Sequence, residues 1–311
     1  MHRKSLRALA VASTLWAGVA VSAVGAPTAA AAPICPGAGQ APVLVGSVPG
    51  AALESVVVGG DGRLYTTDAA SGRIFRLDAP GAPAVPIATV PGGAGGLAWA
   101  QDGSLLVGYG SSDPRILLGD ITRPGAVAKV DVNTGAVTPF ASGLSAVNGL
   151  DVGPDGFAYA TNDFATQIGR IAPNGSVDPD WAAVPSANGA AVTSDNRYLF
   201  VARTFANPGI SRIPIAKPGA PENWVGLGGT DVIGAPDGLV LDSRNRPIVP
   251  ANLLGEIWRV DGPNQYCALA TGLPTSSSLA YGKGSSGFSE GRLFRVGFDG
   301  AIYEIPGGFD G

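Results

Sequence analysis

One pattern recurs six times along this 311-residue chain and leaves few folds open to it. A short apolar run, a tight turn and a second apolar run follow a single head residue. The heads are Glu54, Gly95, Asn148, Asn188, Asp237 and Ser278, spaced 40 to 53 residues apart. The turns carry Asp61-Gly62, Asp102-Gly103, Asp155-Gly156 and Asn245, and Asp-Gly between apolar runs is a strong hairpin signal. A third run, such as Arg73 to Leu77 or Glu256 to Val260, sets arginine among aliphatics, as a strand with one solvated face does. A fourth follows at Val85 to Val90. Four short strands at this period describe propeller blades, and six units fit between Leu53 and Pro306.

Pro42 to Val48 precedes the first unit and has no partner of its own. It is expected to supply the outer strand of the last blade and so close the ring, which hides edges that would otherwise be exposed. The expected fold is all-β: one six-bladed β-propeller of four-stranded blades spanning residues 33–311. Composition agrees, since 47 Gly and 26 Pro with only 14% charged residues suit many short strands joined by turns.

The first 32 residues read as a secretory signal peptide, with Arg3 and Lys4 before an apolar stretch and a small-residue tail. The mature protein is expected to be secreted, monomeric and free of the membrane once the signal is cleaved near Ala30 to Ala32. A net charge of −4 gives no reason to expect a nucleic acid as partner. Cys35 and Cys267 are the only cysteines, and in an exported chain they are expected to form a disulfide joining the two ends. The one histidine, His2, lies inside the signal. A mature chain without histidine cannot run Ser-His-Asp or Cys-His catalysis or hold a His-ligated zinc.

Stacked units bring equivalent positions to one point, so Glu54, Asn148, Asn188 and Asp237 should ring one mouth of the central tunnel. Asn and Asp are poor strand formers. Asn-Gly and Asp-Gly turn chemistry would explain a single copy. It does not explain four, because each unit has its own hairpin turn later, nor does it explain Glu54. Two carboxylates and two carboxamides make an all-oxygen cage for a hard cation, Ca²⁺ ahead of Mg²⁺ or Mn²⁺. Asn162, Asp163, Asp68, Arg203 and Asn252 end second strands and are read as turn or cap residues towards the opposite side or the loops. Phe164, Phe205 and Trp224 lie in loop-rich stretches, where they either pack or wall a pocket.

The ordered set Glu54, Asn148, Asn188, Asp237, with the ending from Ser276 to Ile305, resembles the senescence marker protein (regucalcin), gluconolactonase and luciferin-regenerating enzyme family. The resemblance covers nearly all of the chain beyond the signal. It implies a six-bladed propeller with a divalent ion at the tunnel mouth, those four residues as metal ligands, and hydrolysis of a lactone or related ester. Asp237 would double as general base or nucleophile. Sugar-lactonase members usually carry an arginine two residues before the third-blade asparagine, and here that place is Ala146. The departure points to a less polar lactone or ester. The alternative is a non-catalytic secreted binding propeller whose Ca²⁺ is structural.

Overall fold

The computed structural model describes residues 31–310. The expected export signal therefore lies outside the described residues, save for Ala31 and Ala32. Twenty-four strands form six four-stranded antiparallel sheets, the six-bladed propeller expected from the repeat. The inner strands are Leu53–Val58, Ala94–Trp99, Leu150–Val152, Ala187–Val192, Val240–Leu241 and Ser276–Tyr281. Five blades run inner to outer in chain order. The sixth takes its outer strand from Val43–Ser47, which pairs antiparallel with Ala301–Glu304.

The hairpin turns follow local chemistry. Gly62 sits at φ +76°, a left-handed conformation open to glycine at no steric cost. Asn196 (φ 57°) and Asn245 (φ 58°) take the same place in blades four and five, and asparagine tolerates that region better than most residues.

Blades pack against one another through apolar clusters. Between blades one and two, Leu105, Val107, Val130 and Ile74 are wholly buried with Tyr65 and Leu97. Burying each large aliphatic contributes about 1.5–3 kcal/mol. Tyr65 and Trp99 meet edge to face with ring centroids 5.3 Å apart, and Trp99 Nε1 donates to the Val58 carbonyl of the preceding blade at 3.1 Å. Blades six and one close over Phe288, Phe294, Leu53, Val56 and Val45 in the same manner.

Cys35 and Cys267 are disulfide-bonded. The Cys35 amide donates to the Ala268 carbonyl at 2.9 Å, and the Ala268 amide to Pro33 at 2.8 Å. The bond thus fastens the leading segment to the outer strand of blade five (Gln265–Ala270), just before the chain crosses to complete blade six.

Candidate functional site

Each inner strand begins at the same mouth of the tunnel, and four of them begin irregularly. Between Leu53 and Val56, Ala94 and Leu97, Ala187 and Ala190, and Ser276 and Ser278 the inner strand carries one residue more than its partner. A bulge of this kind re-aims side chains, and it falls on Glu54 and on Asn188. In blades three and five, ladder pairing starts only at Leu150 and Val240, so Asn148 and Asp237 precede it.

The glycines after the head residues are not there for turns. A Cβ on Gly189 would lie 2.5 Å from the Asp237 carbonyl oxygen, and one on Gly238 would lie 2.5 Å from that of Ser277. Neighbouring strand heads approach so closely that only hydrogen fits. Hydrogen bonds then tie each blade to the next: Thr67 to the Gly95 carbonyl (2.9 Å), the Gly96 amide to the Val147 carbonyl (3.1 Å), Thr204 to Pro236 (2.6 Å), Asn252 to Ser276 (3.0 Å) and Ser277 to Leu53 (2.6 Å). Thr161 makes the equivalent bond to the Asn188 carbonyl.

This neck brings together the four residues singled out from the sequence, at the head of a tunnel of about 350 Å³ walled by the inner strands. Asn148 Nδ2 donates to Glu54 Oε1 at 3.1 Å. Asn188 Nδ2 donates to Thr204 Oγ1 at 3.0 Å. Asp237 Oδ2 accepts from Asn252 Nδ2 at 2.8 Å. Burial holds the Glu54 carboxyl well above the usual carboxylate range, helped by the charges of Asp237 and Asp163. Burial likewise pushes Asp237 up to about 8, with the Asn252 hydrogen bond opposing and the Asp163 charge adding to it.

Two residues read from the sequence as turn or cap positions belong to this site instead. Asp163 is buried, its carboxyl raised by that burial to about 7, and its charge bears on both Glu54 and Asp237. Asn252 holds Asp237. The reason is the hairpin: an antiparallel second strand ends beside the point where the first began, so its last residues return to the same mouth. Asp68, Asn162 and Arg203 end second strands at the same mouth too, but their side chains brace local structure. Asp68 accepts from the amides of Ala52 (3.2 Å) and Ala70 (3.1 Å). Asn162 braces the Ile116 carbonyl (2.9 Å), and Arg203 is buried against Asn223 and the Val225 carbonyl. Trp224 packs in blade four against Phe200. Asp151, which the repeat did not single out, lies deeper in the tunnel wall, where the Val192 amide donates to it at 2.7 Å.

The donor set fits a hard cation. Asn148 Oδ1 is buried with no hydrogen-bond partner, an arrangement that costs about 1–3 kcal/mol unless something binds the oxygen. Crowded carboxyls that resist ionisation add a second motive for a positive charge. Among the described residues no three His, Cys, Asp or Glu side chains group to hold an ion by themselves. An ion at this mouth would need the carboxamides of Asn148 and Asn188 beside the carboxyls.

A pH dependence follows for the ion-free protein. The folded carboxyls keep protons that the unfolded chain, with pKa values near 4, has already lost. Their contribution to stability is full below that range and disappears as pH rises through about 7 and 8. In chelator, the melting temperature should fall between pH 5 and 9, and Ca²⁺ should restore it at the alkaline end. A melting temperature that climbs with pH in chelator would contradict this.

No family model matches the chain, and no curated protein matches its sequence. Solved structures do match its fold. A gluconolactonase from Xanthomonas campestris superposes with a TM-score of 0.67 at 16% identity, over 91% of this chain and 99% of that one. A calcium-binding protein, regucalcin, from Agrobacterium tumefaciens gives 0.66 at 16% identity, over 86% and 93%. A luciferin-regenerating enzyme gives 0.65 at 14% identity, over 87% and 98%. The chain thus shares with all three the six-bladed ring that its sequence resemblance implied.

Proposed function

We propose that this chain is a secreted hydrolase of a lactone or related ester, dependent on a divalent cation, Ca²⁺ before Mg²⁺ or Mn²⁺. Glu54, Asn148, Asn188 and Asp237 would hold the ion. The observation that carries this reading is the buried, unsatisfied Asn148 oxygen beside carboxyls that are costly to ionise without a cation. The fold neighbours, which include a gluconolactonase and a calcium-binding regucalcin, support it, although a shared fold does not dictate chemistry.

When bound, the cation supplies Lewis-acid polarisation of the acyl carbonyl. The chain supplies the rest. With no histidine beyond His2, a carboxylate is left to move the proton. Asp237 is the candidate, held in one orientation by Asn252 at 2.8 Å. Acting as base, it takes a proton from water as water adds to the acyl carbon, and returns it to the departing alkoxide, giving a hydroxy acid. Acting as nucleophile, its carboxylate would add to the acyl carbon as the acyl C–O bond breaks and the alkoxide takes a proton from water, and the hydroxide so formed would open the mixed anhydride, freeing Asp237 and the hydroxy acid. Ala146 is buried and short, so it offers no side chain to sugar hydroxyls, which favours a less polar substrate.

The test is turnover of a panel of lactones and aryl esters by the mature protein, with and without chelator. Hydrolysis that chelator abolishes and Ca²⁺ restores is the expected result. The ion's ligands span four blades, so a purely structural role is the competing reading. No turnover across the panel, together with a chelator-induced drop in melting temperature, would establish that role and a binding propeller.

A further inference from the structure

Opposite the mouth, ion pairs such as Asp102–Lys129, Asp155–Arg170 and Asp242–Arg246 line the turns. On the mouth side, the loops expose large apolar side chains: Leu117 (58%), Ile121 (82%), Phe164 (48%), Phe205 (55%), Ile233 (52%) and Leu253 (51%). These come from the connections of blades two to five. Single exposed hydrophobes are ordinary, but a set gathered around one opening marks a binding surface.

Phe164 and Phe205 are its centre. Their rings stack at 5.5 Å with 24° between planes, although each is about half exposed. Phe164 directly follows Asp163, and Phe205 directly follows Thr204, the partner of Asn188. Their backbones are pinned. The Phe164 amide donates to Asn162 Oδ1 at 3.0 Å and the Phe205 amide to Ser186 Oγ at 2.8 Å. Ser186 Oγ in turn donates to the Asp163 carbonyl at 2.7 Å, so one hydroxyl links the two loops. The two loops are thereby held together, and the stacked rings stay exposed on the mouth side instead of folding into the core.

We propose that the Phe164–Phe205 pair is a specificity-determining apolar subsite for the alkyl or aryl substituent of the substrate. The occupant is assigned by continuity, since Phe164 follows Asp163 directly and Phe205 follows Thr204, the partner of Asn188. The chemistry of turnover rests on the hydrolase reading above, but binding at the subsite does not.

Two series separate them. With γ-lactones bearing alkyl chains from methyl to octyl, kcat/KM should rise about two- to threefold per methylene, below the roughly fourfold limit for a fully buried methylene. The gain should appear in KM. In the double variant Phe164→Ser/Phe205→Ser the series should flatten, the kcat/KM of the longer lactones falling to that of the shortest. The corresponding γ-alkyl lactams, which resist hydrolysis, are titrated calorimetrically in Ca²⁺. Affinity should climb with chain length in the parent and in Phe205→Tyr, and stay level in the double variant, whose melting temperature is measured alongside. Level lactam affinities in the parent, or a gradient that survives in the double variant, would overturn the subsite. Rising lactam affinities without lactone turnover would instead leave the subsite in place and remove the hydrolase.

Discussion

Replacing Asp237 by asparagine should lower kcat on the best lactone about a thousandfold with Ca²⁺ held at saturation. General acid–base groups typically contribute 10²–10⁴-fold, and no histidine stands by to replace this carboxylate. The change keeps the shape of the side chain and the bond from Asn252, now to an amide oxygen, so the fold should survive. Cation affinity should weaken as well, because the carboxylate charge of Asp237 is lost from the ligand set, which is why saturation has to be shown in the same experiment. Asn252→Ala should act more gently, about ten- to a hundredfold, as outer groups that orient a ligand do. If the Asp237→Asn protein keeps more than a tenth of the parent kcat, Asp237 is not the proton carrier.

Removing the disulfide should be the largest single blow to stability. Cys35 and Cys267 are 232 residues apart, and the chain-entropy model gives about 5 kcal/mol for closing so long a loop. For a domain of this size, that corresponds to a fall of roughly 10–20 °C in melting temperature. The double variant Cys35→Ser/Cys267→Ser should still close its ring, because Val43–Ser47 retains its ladder with Ala301–Glu304. Its kcat at 25 °C should match the parent, since the bond lies on the outer strand of blade five and not in the tunnel wall. An unchanged melting temperature would mean that the strand ladder alone carries the closure.

The blades were legible because the repeat is periodic in a property that burial enforces. Apolar runs and left-handed turn residues recur at fixed places, and only stacked hairpins satisfy them all. The convergence of Glu54, Asn148, Asn188 and Asp237 was legible for the same reason. Asp163 and Asn252 were misread because second strands were followed outward from their turns, and antiparallel pairing carries their ends back to the starting mouth. The bulges at Glu54 and Asn188 leave no mark in the sequence. They arise where neighbouring strand heads press together, a contact between residues about 40 to 50 positions apart. Gly189 and Gly238 do carry that signal, but written in a dipeptide that local rules assign to turns.

The closing strand also imposes an order of events during synthesis. Among the described residues Val43–Ser47 is the first strand in chain order, yet its partner Ala301–Glu304 is the last. Throughout translation the growing chain can form individual blades but has no means of sealing them. The edges that this pair covers stay open until Ala301–Glu304 has been made. The ring can therefore be sealed only once the third strand of blade six has been made.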